Sequence, residues 1–356
     1  DSSIIASAAA QTESSAPLRC FSIGFDDPAY DESRQADLNF QFLRSKARRK
    51  VEFHQKIVRP EEFRILEELL SGSGEPFADS SILPTHLLCR FARETVTVAL
   101  SGDGADELFG GYERYLAMRA LARLDLLPEP CRRLLFGSAA RLFSSAGGDR
   151  TASARWRRLL TAASHSAAER YRSILSPFTR EEMRELCRFD LSPADRELNE
   201  CFSSLPPVQA AELFDFRFYL PDDILVKTDR ASMAISLEVR APFLDRPVVE
   251  FAMGLPVSYQ MNGMRRKRIL ADAFRDMLPE GLDLRRKRGF GIPLASWFRT
   301  AWKAPLRGYL LEGKGTGQFG LFRKEVVERW IREHASEHAD HSKKLYTLLA
   351  FELAMK

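Results

Sequence analysis

Residues Thr95-Val96-Thr97-Val98-Ala99-Leu100 run directly into Ser101-Gly102-Asp103-Gly104-Ala105-Asp106-Glu107-Leu108-Phe109-Gly110-Gly111-Tyr112. The first six are short, β-branched and apolar, as a buried parallel strand requires. Ligands of open α/β sheets bind beyond the carboxyl ends of strands, so the following loop occupies a binding position. Gly102 and Gly104 permit tight turns and close backbone approach to a ligand. A helix starting there directs free amide N–H groups at anionic phosphate. Asp103, Asp106 and Glu107 would repel a bare polyphosphate, which implies an intervening cation. Mg²⁺, held by one or two carboxylates plus phosphate oxygens, meets that requirement. The competing reading is a surface Gly-x-Gly turn capping a helix, the usual fate of such a pattern. The preceding strand, the three acids and the Gly110-Gly111 pair favour a site.

Upstream, residues 2–12 read as an Ala-rich helix. Leu18–Phe25 reads as a strand between Pro17 and Asp26-Asp27-Pro28, and Val51–Val58 as a second strand. Asp31–Arg49 has helical spacing through Leu38 and Phe42, with the basic cluster Arg44–Lys50 at a helix end, where cations suit the dipole. Pro60 marks the start of a helix carrying Phe63, Leu66, Leu69 and Leu70, and a further helix through Leu83–Arg93 leads into the strand at 95–100. This alternation predicts a doubly wound α/β sheet. Beyond residue 112 helical periodicities dominate (Tyr115–Leu127, Arg155–Leu160, Ala167–Leu175, Val208–Leu220), and no convincing strand is read. The expected fold class is therefore α/β: a parallel-sheet nucleotide lobe at 1–115, a helical lobe at 116–300, and a helical extension at 301–356.

The chain has 356 residues, 45% apolar and 29% charged, ordinary for a globular protein. A net charge of +4 from 53 basic and 49 acidic residues is a weak argument for nucleic acid or an anionic membrane as partner, and neither is expected. Five scattered cysteines without Cys-x-x-Cys argue against a disulfide framework or zinc site and fit a reducing cytoplasm. No apolar stretch has the length of a membrane helix, and no Gly-x-x-x-x-Gly-Lys-Ser/Thr motif is present. The first residue is Asp1 rather than Met, which raises the expectation of a fragment or a processed piece.

Five blocks in order, spanning roughly residues 1–300, resemble the asparagine synthetase family, a branch of the PP-loop ATP pyrophosphatases. Besides Ser101–Tyr112 they are Asp1-Ser2-Ser3; Phe21–Phe25 with Tyr30–Ser33; Asp229–Met233 through Glu238–Asp245; and Lys267–Leu270 with Lys287–Leu294. Asp1-Ser2-Ser3 is similar to the end of the family's Ser-Gly-Gly-x-Asp-Ser-Ser PP-loop, whose first strand and first four residues are expected upstream. The resemblance implies an adenine-nucleotide alpha-hydrolase-like core. It also implies a two-step ligase using ATP and Mg²⁺. Aspartate's side-chain carboxylate attacks the α-phosphorus to give β-aspartyl-adenylate and pyrophosphate. Ammonia from a glutaminase domain outside this chain then gives asparagine and AMP. Family members are often homodimers.

By the same resemblance Asp1 and Asp106 are candidate metal ligands, and Ser2, Ser3 and Gly104 candidate phosphate contacts. Ile23, Ser101 and Gly102 match positions contacting adenine and ribose, although Ile in a strand is by default core. Asp103 is the candidate acid near the amide-forming centre, and Lys267 the candidate cation facing phosphate and acyl oxygens. Arg265, Arg266 and Arg268 beside it read as a solvated face. Arg240 is a candidate ligand for substrate aspartate, with a helix-pinning ion pair as the alternative. The plain alternative for Asp1-Ser2-Ser3 is an N-cap. His334, His338 and His341 read as a solvated helix face rather than a metal site. Two other functions share these motifs: a related ligase acting on another carboxylate, such as a β-lactam synthetase or a polysaccharide- or exosortase-cluster amidotransferase, and an inactive remnant with a binding role.

Overall fold

The computed structural model describes residues 1–28, 30–59, 63–142, 152–189, 196–279 and 291–356. The helix start expected at Pro60 and residues 287–290 of the Lys287–Leu294 block lie outside the described residues. The architecture is α/β and mostly helical, with small parallel sheets. Strand β1 (Leu18–Phe25) pairs in parallel with β2 (Val51–Val58), in register from Leu18 opposite Val51 to Phe25 opposite Val58. Parallel neighbours need a crossover, and the Ser33–Lys46 helix supplies it, with Arg44 and Lys46 in its last turn as expected.

Strand β3 (Val98–Leu100) pairs in parallel with β4 (Glu238–Arg240), so a strand does exist beyond residue 112. It escapes a pattern-based reading because two of its three residues are charged and exposed, and it adds no apolar run. Its backbone carries the pairing: the Glu238 amide donates to the Thr97 carbonyl at 3.0 Å, and the Ser101 amide to the Arg240 carbonyl at 2.8 Å. Among the described residues the strands form two two-stranded sheets, not one continuous sheet.

Helices occupy Ser2–Ala10, Ile82–Arg93, Glu113–Leu121, Ala152–Ser164 and Ala167–Leu175, close to expectation. The pattern at Val208–Leu220 resolves differently. A helix at Pro207–Phe214 loosens into π-type turns over Asp215–Leu225 and tightens again at Val226–Met233. Pro221, which has no N–H to give an i−4 carbonyl, lies inside the widened stretch, and a π-bulge accommodates that missing donor.

The chain forms two compact units. One comprises Asp1–Leu69, Asp79–Glu113 and Asp215–Pro293; the other comprises Leu70–Ala78, Arg114–Phe214 and Leu294–Lys356. In the first, Ile4, Ala105, Leu108, Phe109, Phe243, Ala252 and Leu270 share a buried cluster. That cluster fastens the loop after β3 to the helices beginning at Ser2 and Arg268, which is what assembles the site. A second cluster holds β3 and β4 (Ala99, Val239) against Cys89 and Ala92 of the Ile82–Arg93 helix, with Phe21 of β1 packed on it. In the second unit, Trp302, Trp330, Tyr171 and Tyr346 are at most 2% exposed. Each such side chain contributes about 1.5–3 kcal/mol by leaving water, which gives this helical unit its own core.

Candidate functional site

The chain leaves β3 into Ser101, and the next residue decides what lies opposite. A Cβ on Gly102 would fall 2.7 Å from the Ser2 amide nitrogen and 2.8 Å from the Asp1 Cβ, so only glycine lets the two backbones meet. Gly104 takes φ +88° beside Leu244 and begins the short helix Ala105–Leu108, which carries Asp106 and Glu107. Asp1 immediately precedes the Ser2–Ala10 helix, yet its side chain makes no capping hydrogen bond. It forms an ion pair with the Lys267 ammonium instead.

Lys267 Nζ also lies 2.7 Å from Asp106 Oδ1, so one ammonium bridges the carboxylates of two distant segments. Lys267 sits just before the Arg268–Ala273 helix with φ +48°, a left-handed conformation costly for a side chain with a Cβ. Burial pulls its pKa below the usual lysine value, opposed by the neighbouring Asp106 charge. Space for the pair comes from Gly111. A Cβ there would stand 1.9 Å from Asp106 Oδ1 and 2.1 Å from Lys267 Cε.

The same loop holds a second group of contacts. Asp103 Oδ2 accepts from the Ser101 hydroxyl and from the Thr228 hydroxyl, each at 3.0 Å. Glu107, 4% exposed, accepts at 2.5 Å from the Tyr112 hydroxyl. Burial, with the Glu107 and Asp106 carboxylates, pushes the Tyr112 phenol far up, so it remains a neutral donor. Tyr112 packs edge-on against Tyr219, ring centroids 5.9 Å apart.

The structure thus brings together Asp1, Asp106 and Lys267, sets Ser2 and Gly102 in contact, and places Ser101 with Asp103. Ser3 lies in the first turn of the same helix, its hydroxyl accepting from Asn39 at 3.1 Å. Ile23 is a buried residue of β1 opposite Lys56. Arg240 is exposed, and its contacts are with Glu238 at 2.8 Å rather than with the Lys267 cluster. Arg266 departs from the expected solvated face: it is 6% exposed and donates to the Gly111 carbonyl at 3.1 Å. His334 and His341 are likewise buried, not solvated. His334 Nε2 lies 3.1 Å from the Ala295 carbonyl, and His341 Nε2 lies 2.7 Å from Glu333 Oε2.

Sequence reasoning missed Thr228, the Tyr112–Glu107 pair and a half-buried group made by Asp79, Asp223 and Lys227. Tyr112 ends the diagnostic loop and was a readable signal. Thr228 and Lys227 immediately precede the Asp229–Met233 block, but only folding aims them at Asp103 and Asp79.

The family model for asparagine synthase matches residues 1–356. The chain is 28% identical over 357 residues to asparagine synthetase (glutamine-hydrolysing) 1 of Bacillus subtilis, covering 99% of this chain and 54% of that protein. It is 34% identical over 309 residues to a Mycobacterium tuberculosis protein given a provisional asparagine synthetase (glutamine-hydrolysing) name, covering 84% of this chain and 45% of that one. The chain spans about half the length of the curated relatives it matches.

Proposed function

The chain belongs to the asparagine synthase family, and from that premise we propose that it forms the ATP-dependent amide-ligase part of an asparagine synthetase, activating aspartate's side-chain carboxylate and aminating it. The observation that carries this reading is the convergence of Asp1, Asp106 and Lys267 at the end of β3.

Two carboxylates and one ammonium leave a net negative charge in a small volume. Among the described residues no group of three or more His, Cys, Asp or Glu side chains is arranged to hold a metal. The pair fits Mg²⁺ all the same, because that ion takes one or two carboxylates and completes its shell with water and phosphate oxygens. Asp1 and Asp106 would hold it. When bound, the ion neutralises charge on the leaving pyrophosphate.

The rest of the chemistry belongs to the protein's own groups. Ser2, Ser3 and the Gly104 amide bind and orient phosphate oxygens. An aspartate side-chain oxygen attacks the α-phosphorus, and the bond to pyrophosphate breaks. With ATP present the Lys267 ammonium serves the phosphate and acyl oxygens on which negative charge builds. Ammonia nitrogen then attacks the acyl carbon, AMP leaves, and the nitrogen gives up a proton near Asp103. The ammonia is supplied by a glutaminase domain outside these residues. Ile23 and the backbone at Ser101 and Gly102 flank the adenosine, and Arg240 is the assigned contact for the amino acid.

The reading extends to a PP-loop core with a nucleotide lobe at 1–115, a helical lobe at 116–300 and a helical extension at 301–356. Its support is that β1, β3 and β4 pack in one apolar cluster with the Ile82–Arg93 helix.

Aspartate-dependent exchange of pyrophosphate into ATP tests the first step directly. Exchange with aspartate, followed by asparagine formation on adding ammonia, is expected. Exchange only with a larger carboxylic acid would assign the chain to a ligase of different specificity, and none with any acid would leave a binding role.

A further inference from the structure

The Val226–Met233 helix reaches the diagnostic loop through Thr228 and is anchored elsewhere by its neighbours. Thr228 Oγ1 donates to Asp103 Oδ2 at 3.0 Å, the same oxygen that receives the Ser101 hydroxyl at 3.0 Å. Two donors from different segments therefore hold one carboxylate oxygen, which sets the plane and rotamer of the group. A single donor on an adjacent residue would leave the carboxylate free to swing about its own χ angles.

Thr228 is useful only if its helix keeps a fixed register, and two contacts set it, one half-buried and one buried. Lys227 Nζ pairs with Asp79 Oδ2 at 2.9 Å, with the lysine side chain 11% exposed. Asp79 is itself held by the Ser81 amide at 2.9 Å and the Ser81 hydroxyl at 2.7 Å, at the start of the Ile82–Arg93 helix. From that helix His86 Nδ1 lies 2.9 Å from the Ala231 carbonyl. One turn before Lys227, Asp223 is pushed up to about 6 by burial and by the Asp79 carboxylate. Burial also works against the Asp79 charge, but Lys227 and Ser81 keep its carboxyl below the usual range.

We infer that Thr228 is a positioning residue for Asp103 in amide formation, and that the Lys227–Asp79 pair holds the register that aims it. The inference rests on the role proposed above for Asp103. The two steps of the reaction separate the possibilities, because Asp103 is assigned to the second.

The experiment compares the full chain with Thr228→Val, Thr228→Ser, Lys227→Met and Asp103→Asn. Pyrophosphate exchange and ammonia-dependent asparagine formation are measured separately, with thermal unfolding as the check on folding. Thr228→Val keeps the shape and removes the donor. It should lower kcat for asparagine formation by about 10- to 100-fold, the range of one hydrogen bond to a charged group, and leave exchange within about twofold. Thr228→Ser should restore most of the rate, which a loss of packing alone would not allow. Lys227→Met should resemble Thr228→Val in the second step and also lower the unfolding temperature. If Asp103→Asn is impaired and Thr228→Val matches the parent in both steps, this inference is wrong while the role of Asp103 stands. If Asp103→Asn forms asparagine normally, the role of Asp103 falls first. Equal loss of both steps in a folded Thr228→Val protein would overturn the inference as well.

Discussion

Around Asp125, in the unit containing 114–214, two arginines share one carboxylate; around Lys267, in the unit containing 215–293, two carboxylates share one ammonium. Arg170, 0% exposed, grips Asp125 with both terminal nitrogens at 2.9 and 3.2 Å and sends its remaining N–H groups to the Ala162 and His165 carbonyls. Arg132 adds a bond to Asp125 at 3.0 Å and reaches the Leu127 carbonyl at 3.2 Å. Backbone carbonyls absorb much of the excess positive charge, and a single nitrogen, Arg132 Nε, is left buried without a hydrogen-bond partner. At Lys267 the excess is negative and the neighbours are glycines that make room. The lysine itself sits at φ +48°, a strain of roughly 1–3 kcal/mol that persists only where the surroundings impose it. A closed ion cluster stabilises a fold. An open and strained one is a place for charge to arrive.

That contrast is broken most directly by neutralising one member of each cluster. Asp106→Asn should depress aspartate-dependent exchange by about a thousandfold, since it weakens the group that carries the leaving pyrophosphate. Its unfolding midpoint should barely move, because Asp106 is half of a site rather than of a core. Arg170→Met should do the reverse, costing about 3 kcal/mol of stability by leaving a buried carboxylate and carbonyls short of donors. Exchange per folded molecule should then be unchanged. A stable, inactive Arg170→Met protein, or an unstable, active Asp106→Asn protein, would erase the distinction.

Gly111→Ala sharpens the comparison without altering any charge. Its methyl group would overlap Asp106 Oδ1 and Lys267 Cε, at 1.9 and 2.1 Å. The flexible lysine can withdraw, so the fold should survive. The displaced pair should slow exchange by about 10- to 100-fold, the scale of a 1 Å misplacement in a catalytic group. Unimpaired exchange would mean that the spacing seen here has no bearing on the chemistry.

Much of this was readable before folding, for identifiable reasons. β1, β2 and the helix between them follow from apolar runs bounded by proline and acidic turns. The loop after β3 follows from its glycines and acids, and the meeting of Asp1 with Asp106 follows from resemblance. β4 was invisible because Glu238-Val239-Arg240 pairs through its backbone, which leaves no trace in side-chain pattern. Arg266 and His334 were misread as solvated because charge and polarity in a string of similar residues say nothing about which carbonyl waits nearby. Thr228 lies 125 positions from Asp103, and a hydroxyl in a helix gives no sign of a partner that remote.

The unit with closed charge should also answer to pH at a buried imidazole. His334 is 1% exposed, with Nδ1 accepting from the His341 amide at 3.3 Å and Nε2 beside the Ala295 carbonyl. Those partners call for a neutral ring protonated on Nε2, and an added proton on Nδ1 would break the bond from His341. Burial lowers the His334 pKa below 6.5, Arg299 lowers it further, and Asp340 opposes them. The unfolded chain therefore binds more protons than the folded one at mildly acidic pH, so stability rises with pH through that range. The contribution is complete above about 6.5 and is lost as pH falls through the lowered folded value. Thermal unfolding at pH 7.5 and at pH 5.5, about one unit on either side of a free histidine, should show a lower midpoint in acid. His334→Gln should reduce that difference while lowering the midpoint at both pH values. If parent and variant lose the same amount between the two, the dependence belongs to other groups. His334 would then be a spectator of packing rather than a proton-sensitive part of it.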